Sequence, residues 1–247
     1  LHFTHLASGL HISYKGKIKV GEQLWIVLAG VMIGLLLSVP LLWLSWKIPQ
    51  QFLIESSEMH LLTWTEPAIR ALQWQDVLFV SLLCVCASSA ALLWGLEVET
   101  FVAFAFCAVL LLLARIDART HLLPDVLTLP LLWLGLLWHA AGLGERSLEL
   151  AVWGAAAGYI VLWLPAGLLG SWLGKTLMGH GDFKLSAAIG AWLGCWALPF
   201  VWLLACTSSI VVIVLGTFFG GRRLREPMPF GPGLALGGIL MLFFDTL

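Results

Sequence analysis

Seven stretches of this chain run without a single Asp, Glu, Lys or Arg: 23–46, 77–96, 100–114, 126–144, 150–174, 185–221 and 227–244. A helix needs roughly 20 mostly apolar residues to cross a bilayer. Hydrocarbon offers the backbone no water, so such stretches must close their hydrogen bonds within a helix. The stretch 185–221 would extend roughly 55 Å as one helix, too long for a single crossing. A break between Gly194 and Pro199 divides it and brings the count to about eight. Arg115 can snorkel and so lengthen the short stretch 100–114. The expected fold is all-α, a polytopic integral membrane protein with about eight transmembrane helices. No period of 20–50 residues repeats, which excludes a solenoid.

Composition agrees. Apolar residues make up 60% of the chain and charged ones 11%, against roughly 45–50% and 25% in soluble domains. Such a surface cannot be covered with polar groups, so its solvent is membrane lipid. Several of the 14 tryptophans stand near the ends of apolar stretches, among them Trp25, Trp46, Trp94, Trp138 and Trp172, as in an interfacial belt. The formal net charge of −1, without a basic block, argues against a nucleic-acid partner. The five cysteines, Cys84, Cys86, Cys107, Cys195 and Cys206, lie inside apolar stretches and form no C-x-x-C pair. They read as small buried hydrophobes, and no metal site is expected. Residues 1–21 form a poorly defined, polar N-terminal segment without a secretory cleavage site.

Charge asymmetry orients the spans. Loops on one side hold Lys47, Arg70, Arg115, Arg119, Lys175, Lys184, Arg222, Arg223 and Arg225. The other side holds Arg146 and the N-terminal Lys15, Lys17 and Lys19. The richer side is expected to be cytoplasmic. Asp117 then ends the third span and Asp182 begins the sixth at that same face. Two complete crossings separate them, so both return to one depth and can meet.

Ionisable groups near a bilayer are functional candidates by default. Two neighbouring carboxylates cannot both ionise cheaply, so they share a proton. The ionised member can take a proton from water while the protonated member polarises a peptide carbonyl, which is hydrolysis without a covalent intermediate. Asp182 sits in Gly179-His180-Gly181-Asp182-Phe183-Lys184-Leu185. Gly179 and Gly181 remove side chains beside it, allowing close approach or an unwound turn. Lys184 either holds Asp182 ionised or snorkels. Asp125 follows Pro124 at a span start and reads mainly as a helix-start residue, suited to the dipole there. His180 reads as solvent-facing, His121 and His139 as interfacial, and no ligand spacing links them.

Three segments resemble the signatures of type IV prepilin peptidases. Ile116-Asp117-Ala118-Arg119-Thr120-His121-Leu122-Leu123-Pro124-Asp125, with Leu127 to Trp133, is similar to the first. Gly179 to Leu185, with Ala188 to Gly194, is similar to the second, and Pro229-Phe230-Gly231-Pro232-Gly233-Leu234-Ala235 to the C-terminal one. The similarity runs from about residue 77 to the end. It implies a bacterial inner-membrane aspartic peptidase of the GxGD kind, occupying 22–247, with a cytoplasmic loop at 47–76 and its active site at the cytoplasmic face. The family's catalytic aspartates fall on Asp117 and Asp182, with Gly179, Gly181, Lys184 and Asp125 in support. The implied substrates are type IV prepilins or type II secretion pseudopilins, cut after a Gly and before a Phe- or Met-led hydrophobic helix. Cleavage would need no cofactor; many members also methylate the new N-terminus with S-adenosylmethionine. Long members carry two C-x-x-C pairs in a zinc module after the first span. Residues 47–76 hold no cysteine, so the chain is more similar to short members of type II secretion. The stretch Gly34 to Ser38 is only loosely similar to the N-terminal signature.

Two other classes compete. A proton-coupled transporter would place its carboxylates near the midplane and show internal repeats. A non-catalytic assembly scaffold would be expected to lose one aspartate of the pair.

Overall fold

The computed structural model describes residues 20–55, 74–95, 97–175, 178–219 and 228–244. They form eight helices, with no strand among the described residues. In chain order these are α1 (Val20–Glu55), α2 (Trp74–Trp94), α3 (Val98–Thr120), α4 (Asp125–Ala140), α5 (Leu148–Leu173), α6 (His180–Leu193), α7 (Leu198–Phe219) and α8 (Gly231–Phe244). Helices α1, α2, α3, α5 and α7 are long and apolar enough to cross a membrane; α4 and α8 are apolar but shorter. The protein is therefore an all-α polytopic membrane protein.

The break expected in 185–221 falls where the sequence placed it. Leu193 ends α6, Gly194 turns the chain at φ 72°, and α7 begins at Leu198. Pro199 occupies the first turn of α7, where its missing N–H loses no helical bond.

Two helices run past the C-terminal limits of their charge-free stretches. The segment 47–76, expected to be a loop, begins as helix: α1 continues through Lys47 to Glu55. Lys47 does not end the helix because its Nζ rests 4.3 Å from the Trp43 ring, one turn back. Helix α3 likewise passes Ala114 and carries Asp117 within it, one turn before its end. Residues 1–19 and 56–73, with Arg70, and the arginines 222, 223 and 225 lie outside the described residues.

Burial ranks the helices. In its most apolar window α3 is 67% buried, against 17% for α1 and α7 and 11% for α5. Helix α6 is similarly enclosed, every residue from Leu185 to Ala191 being buried. The outer helices turn large apolar side chains outward, including Trp43, Trp153 and Trp172, as lipid contact requires. The inner pair is held by small residues and tryptophan bonds. Gly154 of α5 and Gly190 of α6 approach so closely that a Cβ on either would stand 2.1 Å from the other's carbonyl oxygen. Without a hydrophobic drive between helices in lipid, such backbone contact supplies the dispersion energy. Trp192 of α6 donates its Nε1–H to the Leu131 carbonyl of α4 at 2.8 Å and packs on Phe106 of α3, ring centroids 5.1 Å apart. Trp202 of α7 donates to Ser186 Oγ at 2.9 Å.

Candidate active site

The last two turns of α3 are anchored before they deliver Asp117. Arg115 is buried, not snorkelling as its place beside an apolar stretch suggests. Its Nε donates to Ser45 Oγ of α1 at 3.2 Å and its Nη1 to the Gln75 carbonyl of α2 at 3.3 Å. Its Nη2 pairs with Asp76, and its guanidinium lies 5.1 Å from the Phe79 ring. Arg119 reaches the same Asp76 carboxylate at 3.4 Å. A buried guanidinium requires such partners, since an unpaired buried charge costs several kcal/mol, ~3–5. The helix ends at His121, which takes φ 54° and donates its N–H to the Asp117 carbonyl at 2.9 Å. A non-glycine residue in that left-handed region costs roughly 1–2 kcal/mol, so the turn that follows Asp117 is held against local preference.

Asp117 is 4% exposed. Its Oδ2 accepts a hydrogen bond from the backbone N–H of Gly231, at the start of α8, at 2.9 Å. A Cβ on Gly231 would lie 2.7 Å from that oxygen; only glycine lets the α8 terminus come this near.

Asp182 is 9% exposed and stands in the first turn of α6, its N–H donating to the Gly179 carbonyl at 3.2 Å. Gly181 packs against the segment that leaves α3: a Cβ there would fall 2.6 Å from Leu123 Cβ. Gly179 differs, for a Cβ there would make only an ordinary 3.5 Å contact with Asp182 Oδ2, so space does not demand glycine at that position. Asp117 is among the charges that act on Asp182. The two buried carboxylates, 65 residues apart in sequence, thus share one electrostatic neighbourhood. No Lys or Arg forms a salt bridge with either among the described residues.

Lys184 turns to Asp125 rather than to Asp182. Its Nζ donates to both oxygens of Asp125 at 2.7 Å. This pair ties the first turn of α4 to the first turn of α6 and borders a cavity of about 270 Å³ lined also by Pro49, Ile116, Leu123, Pro124 and His180. Asp125 therefore sits near the two buried aspartates but is occupied by a cation.

The arrangement can do general acid and base chemistry. It offers two enclosed carboxylates at one end of the bundle, Asp117 bonded by the Gly231 N–H, and their chain neighbours Ile116 and Gly181 line the cavity. No three His, Cys, Asp or Glu side chains gather as a metal site among the described residues. Sequence reasoning missed the roles of Asp76 and Gly231. Gly231 lies in a segment already singled out, and a glycine opening a helix is a ready N–H donor to an anion; that signal was present.

The sequence is similar to those of named proteins. Residues 104–216 match the model of the type IV leader peptidase family. The chain is 47% identical over 160 residues to the prepilin leader peptidase/N-methyltransferase of Burkholderia pseudomallei (strain 1026b), covering 65% of this chain and 52% of that protein. Its likeness to the protein of the same name from Dickeya chrysanthemi is 41% over 177 residues, 72% of this chain and 62% of the other. That to the Escherichia coli (strain K12) protein of this name is 42% over 171 residues, 68% and 74%. The chain thus spans about half the length of the Burkholderia relative and about three quarters of the Escherichia one. No solved structure matches it.

Proposed function

The chain belongs to the type IV leader peptidase family, and from that premise we propose that it is a membrane aspartic endopeptidase that removes the leader of prepilins or pseudopilins. The observation that carries the reading is the pair Asp117 and Asp182, both buried, with the charge of Asp117 bearing on Asp182 and no salt bridge to either among the described residues. The acids lie near helix ends, in the last turns of α3 and the first turn of α6, where a peptide at the membrane surface reaches them. A midplane proton relay would place them elsewhere.

In the proposed reaction the Gly231 N–H bond suits the charged form of Asp117, which makes Asp117 the base and Asp182 the acid. Asp117 takes a proton from water as its oxygen attacks the scissile carbonyl carbon. Asp182 donates its proton to the carbonyl oxygen. Collapse of the tetrahedral intermediate breaks the C–N bond, the amine leaves with a proton from Asp117, and the intermediate hydroxyl returns one to Asp182. Water, peptide and two carboxylates balance without metal or cofactor. The charge asymmetry of the loops supports the cytoplasmic face of a bacterial inner membrane as the location of this chemistry.

The relatives' names add N-methyl transfer, for which S-adenosylmethionine would be the methyl donor. A cleft of about 360 Å³ between the end of α5 and the start of α6 fits its chemistry. Trp163 offers an aromatic face for a purine and Lys175 a cation for an amino-acid carboxylate. The test is incubation of the purified chain with a prepilin peptide, with and without S-adenosylmethionine, read by mass. Cleavage at one site in both conditions is expected. An uncut peptide, or cleavage that stops without S-adenosylmethionine, overturns the reading.

A further inference from the structure

The end of the bundle away from Asp117 holds a second cavity, of about 110 Å³, which takes no part in the proposed cleavage. Glu99 and Asp117 share helix α3, so the two ends stand roughly 27 Å apart along it at 1.5 Å per residue.

His139, in the last turn of α4, forms part of the cavity wall. The sequence places it at the membrane interface, but it is 7% exposed. Its Nδ1 lies 2.8 Å from the Gly135 carbonyl. A carbonyl only accepts, so Nδ1 carries a proton, and in the neutral ring Nε2 is then an acceptor. Gly144 lies against that edge, and a Cβ there would stand 2.8 Å from Nε2; glycine leaves the nitrogen uncovered. No protein group bonds Nε2 among the described residues. The turn above it is itself built, with Gly142 at φ 70° and Ser147 Oγ accepting from Leu150 N–H at 3.3 Å.

The rest of the wall carries both signs of charge. Glu99 comes from the first turn of α3, and Glu145 and Arg146 from the turn before α5. Arg146 crosses to the end of α6, where its Nη1 is 3.4 Å from the position a Cβ on Gly194 would take. Trp94 and Trp138 add aromatic faces. Three acceptors, His139 Nε2 and two carboxylates, match the three N–H donors of a primary ammonium, and aromatic faces attract that cation. The adjacent guanidinium matches a phosphate. We propose that this cavity seats the headgroup of a phospholipid bearing a primary amine, its ammonium among His139, Glu99 and Glu145 and its phosphate at Arg146. The cavity opens at the end of membrane-spanning helices, where lipid headgroups lie. A trimethylammonium headgroup has no N–H to give, and a glycerol headgroup has no cation.

The test uses the full chain in detergent, stripped of lipid and given equimolar phosphatidylethanolamine, phosphatidylcholine and phosphatidylglycerol with identical acyl chains. Native mass spectrometry should show phosphatidylethanolamine retained on the order of tenfold over each of the others. Glu99→Gln with Glu145→Gln should erase that preference while the thermal midpoint stays near wild type. Glu99→Gln alone, at a half-exposed position, should reduce it in the same direction and serves if the double variant fails to fold. Equal retention of the three lipids, or a preference unchanged by these substitutions, overturns the proposal. Displacement of the lipid by equimolar soluble glycerophosphoethanolamine overturns the assignment to lipid.

Discussion

Asp76 and Asp125 stand partly exposed at one end of the bundle, and each holds a cation: Arg115 and Arg119 for the first, Lys184 for the second. Asp117 and Asp182, at the same end, are buried, and neither has a salt-bridge partner among the described residues. Stability alone would arrange the reverse, because charge is costlier to bury than to expose and pairing matters most inside. The difference separates two tasks. Paired acids brace helices; in the proposed reaction the unpaired ones keep their proton chemistry free, at a cost in folding that the braces offset.

The sharpest way to break this contrast is substitution of the unpaired acids. Asp117→Asn or Asp182→Asn should lower leader cleavage about a thousandfold or more, with the double variant little worse, because groups that act as a unit do not add. Membrane insertion should be unchanged. Substantial cleavage by either single variant in a peptide assay would remove the pair from the reaction. Next in size is Gly231→Ala. Its methyl group would press on Asp117 Oδ2 from 2.7 Å, and displacing the carboxylate should cost cleavage about a hundredfold. Unchanged kcat/KM in this variant would show that the close approach of the α8 terminus to Asp117 is dispensable.

The braces should respond differently. Asp76→Ala strands the buried Arg115 and should destabilise the bundle by about 3 kcal/mol, read as a lower thermal midpoint in detergent. An unchanged midpoint would mean that Gln75 and Ser45 suffice. The Asp125–Lys184 pair is more open, its side chains 47% and 31% exposed. Asp125→Asn should therefore cost under about 1 kcal/mol of stability and lower cleavage far less than Asp117→Asn. The exchanged pair, Asp125→Lys with Lys184→Asp, should recover what the single change loses. A dead Asp125→Asn beside an active Asp117→Asn would show that the roles are reversed. Addition of a chelator should have no effect on cleavage, since proton transfer between water and two carboxylates calls for no metal; loss of activity on chelation would contradict this.

Much of the bundle was legible because a bilayer imposes one coarse rule, apolar length, that a sequence displays openly. The division of 185–221 at Gly194 followed from that rule and a proline. Helix limits were less legible: Arg115 finds partners on two other helices, which the local sequence does not show, and Lys47 meets Trp43 only if the helix continues past it. The placement of Asp117 and Asp182 near helix ends could be read from where apolar stretches stop. The choice Lys184 makes between Asp125 and Asp182 could not, because both acids lie within its reach and only the helix arrangement decides. Gly231 was legible as a helix-opening glycine but not as the donor to Asp117: every residue but proline has an N–H, so the acceptor that a backbone donor meets carries no letter of its own.

The bond from Gly231 to Asp117 also sets an order of events in time. Its donor leaves the ribosome 114 residues after its acceptor, when most of the bundle has already been inserted. Until α8 arrives, Asp117 lacks the group that holds its oxygen, so a nascent or interrupted chain carries both aspartates without the finished arrangement around them. Emergence of α8 is in this sense the step that would arm the site.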